Sequence, residues 1–134
     1  MRIMAIDYGD AHTGIAISDP TGLLAGFTTV INSRRQEVVV EQVTLLAKEH
    51  GAEELVLGHP VNMDGTLGKA KAMKVLLEEA TALPVVLWDE RRTTIDAHNI
   101  LFNSGKNAKQ RKKVVDAVAA SLILEGYLTF KKSH

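Results

Sequence analysis

The stretch Arg2-Ile3-Met4-Ala5-Ile6-Asp7-Tyr8-Gly9 decides how the chain folds. An apolar run that ends abruptly on a carboxylate reads as a buried strand, and Tyr8-Gly9-Asp10 supplies the turn chemistry that closes it. Gly14-Ile15-Ala16-Ile17-Ser18 reads as a second strand, Asp19-Pro20-Thr21-Gly22 as the turn after it, and Leu23–Ile31 as a third strand. Three strands joined by short turns predict an antiparallel meander.

Working outward, the pattern changes from strands in series to strands alternating with helices. Ser33 is placed to cap a helix that runs through Val39, Val43 and Leu46 and stops at Gly51. Glu54–Leu57 reads as a short buried strand that opens into the polar loop His59-Pro60-Val61-Asn62-Met63-Asp64-Gly65. Lys69 to Ala80 has helical spacing along Ala72, Val75, Leu76 and Glu79. Pro84 then leads into a fifth strand, Val85-Val86-Leu87-Trp88. Thr94 can cap a helix through Leu101 that ends at Gly105, and a last helix spans about Gln110 to Thr129. This order predicts an α/β fold: a five-stranded mixed sheet, its first three strands antiparallel, covered by helices. Neither a repeat nor a linker interrupts it, so residues 1–134 read as one domain.

Composition narrows the chemistry. With 46% hydrophobic and 24% charged residues the 134-residue chain is globular rather than disordered. It has no cysteine, which excludes disulfides, a thiolate nucleophile and Cys-ligated zinc. Its five histidines, at 12, 50, 59, 98 and 134, lack the spacing of a zinc site on one helix. No apolar run approaches the roughly 20 residues needed to span a bilayer, and the chain opens without a signal-peptide pattern, so the expected place of action is the cytoplasm, away from membranes. The net charge of zero conceals an asymmetry: residues 1–67 hold 4 Lys/Arg against 9 Asp/Glu, and residues 68–134 hold 12 against 7. Five cations, Lys106, Lys109, Arg111, Lys112 and Lys113, fall in one short block that could follow a phosphate backbone or simply begin a solvated helix.

Three acidic positions break the local pattern. Asp7 stands where ligands gather in open α/β sheets, at the carboxyl end of a strand, although an Asp there can also do no more than start a turn. Gly9 leaves room for a phosphate to approach backbone. Asp116 lies within Val114-Val115-Asp116-Ala117-Val118-Ala119-Ala120. A buried carboxylate there needs a partner or a metal, whereas a surface one would pair with Lys112 or Lys113. Asp89 and Glu90 follow the fifth strand, and since neighbouring residues point apart, one of the two is expected to face a site. Arg91-Arg92-Thr93-Thr94 then suits phosphate at a helix start, or marks an ordinary helix entry. Acids that end two strands and line a helix, with cations nearby, fit Mg²⁺- or Mn²⁺-dependent phosphodiester hydrolysis. Gly65 to Lys69 lacks the residues of a phosphate loop, and no Ser or Cys is set beside a His for nucleophilic catalysis.

Four blocks together resemble one family. Ile6-Asp7-Tyr8-Gly9 with Gly14-Ile15-Ala16-Ile17-Ser18-Asp19-Pro20, then Gly58 to Gly65, Trp88-Asp89-Glu90-Arg91-Arg92-Thr93-Thr94, and Lys112 to Ala120 look like the YqgF/RuvX family, in its order and over nearly the whole chain. The resemblance implies a three-layer ribonuclease H-like fold related to the Holliday-junction resolvase RuvC. It implies Asp7, Glu90 and Asp116 as metal-binding acids, and Asn62 and Asp64 in a loop that faces the site. It also implies a nuclease that matures the 5′ end of the small-subunit ribosomal RNA precursor or resolves four-way DNA junctions. One departure stands out: Ala11 and His12 occupy positions where the family usually carries Lys and Arg, and a histidine is a weaker cation than either at neutral pH. With Gly9, His12, Asn62, Asp64, Arg91, Arg92 and the Lys106–Lys113 block as nucleic-acid contacts, the chain is expected to work as a monomer or a homodimer. Two other classes compete. One is a non-catalytic nucleic-acid-binding module, and the other is an actin- or sugar-kinase-type nucleotide-binding domain, which would need a second such domain.

Overall fold

In the computed structural model the described residues are 1–9, 11–19, 25–59, 66–89 and 108–133. Five strands form one sheet: β1 (Arg2–Asp7), β2 (His12–Ser18), β3 (Ala25–Asn32), β4 (Ala52–His59) and β5 (Val85–Asp89). Their spatial order is β3-β2-β1-β4-β5. β1 pairs antiparallel with β2, and β2 antiparallel with β3, which is the expected meander. β4 then adds parallel to β1 and β5 parallel to β4. Three helices lie among the described residues: α1 (Gln36–His50), α2 (Thr66–Thr81) and α3 (Ala108–Ser133).

The sheet separates two cores, and residue parity assigns each side chain to one of them, because side chains alternate faces along a strand. Met4, Ile6, Ile15, Ile17, Leu55 and Leu57 pack with Val39 and Val43 of α1 and Met73 and Leu77 of α2. Ile3, Ala5, Ala16, Val56 and Trp88 pack with Ala120, Ile123, Leu124, Tyr127 and Leu128 of α3. The α3 residues recur at three- and four-residue intervals, the stripe of a helix laid on a sheet. The result is a three-layer sandwich with α1 and α2 on one face and α3 on the other.

Several local readings are corrected. The residue that caps α1 is Arg35, without a side-chain hydrogen bond. Ser33 instead accepts from the Arg35 backbone N–H through Oγ at 3.1 Å, holding the turn that precedes the helix. At the other end Gly51 does stop α1, in the left-handed conformation (φ 69°) that glycine adopts without steric cost. β4 is longer than its apolar centre and carries on through His59. In α2 the buried positions are Ala70, Met73 and Leu77, while Val75 and Leu76 are 52% and 36% exposed. Both stripes have helical spacing, and the one that faces the sheet holds the fully enclosed Met73 and Leu77. The helix expected from Thr94 to Gly105 lies outside the described residues.

Among the described residues, no helix is long and apolar enough to cross a membrane.

Candidate active site

Because β1, β4 and β5 are parallel, their carboxyl ends lie at one edge of the sheet. Asp7 ends β1 there and is partly buried. Its register partners are Gly14 on β2 and Gly58 on β4, and Gly58 is in turn paired with Trp88 of β5. Asp7 follows Ile3 and Ala5 in parity, and Gly58 follows Val56, so both belong to the α3 face. The carboxylate therefore stands between two positions that carry no side chain. In a sheet, directly opposed residues place their Cβ atoms only about 5 Å apart, so two glycines keep clear the space a ligand of Asp7 would fill. The inward neighbours on this face, Ala5 and Ala16, are also small and fully enclosed.

Helix α3 covers this face of the sheet through Ala120, Ile123, Leu124, Tyr127 and Leu128. Near its carboxyl end Lys131 lies 3.4 Å from the Glu54 carboxylate, and Tyr127 donates a hydrogen bond to the same group. Burial, then that bond and the charge of Glu54, push the Tyr127 phenol well above its usual range. Glu54 is paired with Ile3, at the other end of β1 from Asp7. Trp88 meets Tyr127 and Phe130 edge-on at 5.7 and 5.9 Å, which fixes the helix over β5 as well. Ala120 is fully buried in the same cluster as Ala5 and Ala16.

The turn after β1 is close-packed. A Cβ on Gly9 would stand 2.5 Å from the carbonyl oxygen of His12, so only glycine fits there. His12 opens β2 and, with Gly14 and Ala16, belongs to the α3 face. Its Nδ1 is 2.6 Å from Oδ1 of Asn32 on β3, its register partner. The Ser33 backbone N–H donates to the Ala11 carbonyl at 3.0 Å and closes this end of the ladder. Sequence reasoning missed Asn32, twenty residues from His12, because only strand register brings the two together.

Of the other expected site residues, Asp116 and the cations Lys109, Arg111, Lys112 and Lys113 are on the first half of α3, with their side chains outside the described residues. Glu90, Asn62, Asp64, Arg91, Arg92 and Lys106 lie outside the described residues altogether. Asp7 is thus the one expected metal ligand whose side chain is described, and among the described residues no three acids or histidines gather as a metal-holding group.

Comparison with known proteins places this geometry in a family. The RuvX family model, described as Holliday junction resolvase, matches residues 1–130. The chain belongs to the RuvX family. Among curated relatives, a candidate pre-16S rRNA nuclease of Halothermothrix orenii is 41% identical over 135 residues, covering 98% of this chain and 96% of that protein. A relative from Clostridium botulinum bearing the same name is 41% identical over 132 residues, with 96% of each covered. Among solved structures, RuvC of Thermus thermophilus in complex with a Holliday junction substrate has a TM-score of 0.66 over 99% of this chain and 96% of its own, at 13% identity. The fowlpox virus resolvase bound to Holliday junction DNA scores 0.60 at 11% identity, with 98% and 99% covered. At those identities the likeness is one of fold, and it is the ribonuclease H-like fold that the RuvX resemblance implied. A hexokinase from Thermus thermophilus shares the fold over 74% of this chain but only 38% of its own (TM-score 0.54, 22% identity).

Proposed function

We propose that this RuvX-family nuclease is a divalent-metal-dependent endonuclease acting on structured nucleic acid as a single domain over residues 1–134. The observation that carries the reading is Asp7, a partly buried carboxylate at the carboxyl edge of β1, on the α3 face between Gly14 and Gly58. A lone turn-starting Asp needs no such clearing.

Asp7, Glu90 and Asp116 would together hold Mg²⁺ or Mn²⁺. The donor set is chemically suited, since carboxylate oxygens are hard ligands. When bound, the ions supply Lewis acidity at the phosphate and an activated water. Glu90 rather than Asp89, together with Asp116, is the set that the RuvX resemblance implies. The chain's own part is to hold Asp7 at the end of β1 and to leave the space beside it open. Gly9 lets backbone come close to substrate, and Asn62 and Asp64 belong to the loop after β4. Arg91, Arg92, Lys106, Lys109, Arg111, Lys112 and Lys113 would follow the phosphate backbone, so binding weakens steeply with salt.

The substrate favoured is precursor small-subunit ribosomal RNA cut at its 5′ end, in the cytoplasm, in keeping with the names of the curated relatives. The family's own description favours a second reading, cleavage of a four-way DNA junction. That reading calls for two sites and therefore a homodimer, whereas a processing nuclease can act as a monomer. Cleavage of both substrates side by side in Mg²⁺, in Mn²⁺ and in chelator tests the proposal. The expected result is metal-dependent cutting of the ribosomal precursor. No cutting of either substrate would overturn the enzymatic reading and leave a binding module.

A further inference from the structure

On the α3 face, one polar pair stands beside the opening at Asp7. Gly14 is directly opposite Asp7, and His12 is two residues along β2 from Gly14. Asp7 and His12 are therefore diagonal neighbours on one face, about 7–8 Å apart. Gly14 carries no side chain into the gap between them, and Gly9 cannot, because a Cβ there would strike the His12 carbonyl. His12 is partly exposed and Asn32 exposed, so the pair is open to solvent.

The hydrogen bond between them determines what the ring can do. With Oδ1 of Asn32 facing the ring at 2.6 Å, the bond is made by the tautomer that carries its proton on Nδ1 of His12, since a carbonyl oxygen only accepts. An uncharged imidazole held that way has a lone pair at Nε2 and no further N–H. Phosphate oxygens carry no proton to donate to that lone pair. A hydroxyl does, and the hydroxyl repeated along an RNA backbone and missing from DNA is the ribose 2′-OH.

We propose that His12 and Asn32 form a reader of the ribose 2′-hydroxyl, with His12 accepting its hydrogen bond through Nε2 and Asn32 holding the ring in the accepting tautomer. The inference rests on the nuclease reading above and names the residues by which its RNA substrate is told from DNA. The diagonal spacing of about 7–8 Å between Asp7 and His12 is of the order of one nucleotide step along a backbone, so a phosphate held at Asp7 would leave the sugar of an adjoining nucleotide within reach of His12. Asn32 acts here as a positioning residue, and His12 is the residue that touches substrate.

The test is a binding cycle on the full chain, in chelator so that nothing is cut, at one fixed pH. The probes are one short hairpin with single-stranded flanks in three forms: all-ribose, all-2′-deoxy and 2′-O-methyl. The unaltered protein is expected to bind the ribose form more tightly than either analogue by about three- to tenfold, the worth of one neutral hydrogen bond. His12→Ala should lose that preference, weakening binding of the ribose form more than that of the deoxy form. Asn32→Ala should lose most of it too, and the double variant no more than His12→Ala, as befits residues acting as one unit. Equal affinity of the unaltered protein for the ribose and deoxy probes overturns the proposal without needing any variant to fold. Equal loss on both probes in His12→Ala overturns it as well and makes the pair a general backbone contact. Metal-dependent cleavage scored separately distinguishes the two readings: a protein that cuts without discriminating sugars keeps the nuclease reading and loses this one.

Discussion

Helix α3 is held close to the sheet by small residues, and enlarging one of them should uncouple catalysis from binding. Ala120 is fully buried against the cluster that contains Ala5 and Ala16, one helical turn from Asp116. Ala120→Leu inserts three carbons where no space is left. Overpacking of that kind costs about 1–3 kcal/mol. Unfolding entropy for 134 residues is on the order of 0.28 kcal/mol/K, so the midpoint should fall by about 4–11 °C. The helix can relieve the strain by moving outward, and if Asp116 shares a metal with Asp7 as proposed, that motion separates the two acids. A displacement of about 1 Å in a catalytic constellation costs on the order of 100-fold in rate. The assay has three readings: thermal midpoint, cleavage rate in Mg²⁺, and affinity for the same substrate in chelator. The expected outcome is a folded protein with a lowered midpoint, a cleavage rate down about 100-fold and an affinity within a few-fold of the parent. Ala72→Leu, on the exposed side of α2, should change none of the three. If Ala120→Leu folds and cuts at the parental rate, α3 is not what sets the geometry of the site.

Two further outcomes follow from the packing. Leu77→Ala should lower stability by about 2–5 kcal/mol, whereas the same deletion one residue earlier, Leu76→Ala, should cost far less because that side chain already meets solvent; equal losses in urea titrations would contradict the assignment of the α2 faces. Tyr127 gives an alkaline signature. Its phenol titrates higher in the folded than in the unfolded chain, so its contribution to stability is complete below about pH 10, the unfolded value, and is lost as pH rises from there toward the folded value. Tyr127→Phe should remove that part of the alkaline destabilisation, and unchanged midpoints across pH 9–11 in both proteins would count against it.

Much of the fold can be read from period alone. Ile3–Ile6 and Ile15–Ile17 are too apolar and too short to be anything but buried strands, and the glycine and proline turns between them leave one way to connect them. The helices are harder. α2 has apolar residues on two stripes, Ala70-Met73-Leu77 and Ala72-Val75-Leu76, and a hydrophobic pattern cannot say which will face the sheet when both will fit. Ser33 has the residue type of a cap, but its hydroxyl is used earlier, on the Arg35 N–H. The site divides in the same way. Asp7 is conspicuous because a carboxylate ending an apolar strand is costly unless something uses it. The clearing around it is not, because Gly14 and Gly58 flank Asp7 only through register with two different strands. Asn32 gives no signal at all, its role arising from a pairing with a residue twenty positions away.

The central claim is that Asp7 holds a catalytic metal rather than starting a turn, and Asp7→Asn tests it most directly. The amide keeps the shape and the capacity to accept a hydrogen bond but gives up the charge that binds the ion. Cleavage of precursor ribosomal RNA in Mg²⁺ and affinity for the same RNA in chelator are measured on both proteins. The account expects cleavage to fall by at least about 1,000-fold, several kcal/mol of lost Lewis-acid stabilisation, with affinity in chelator unchanged. Cleavage at the parental rate by the Asp7→Asn variant would contradict it.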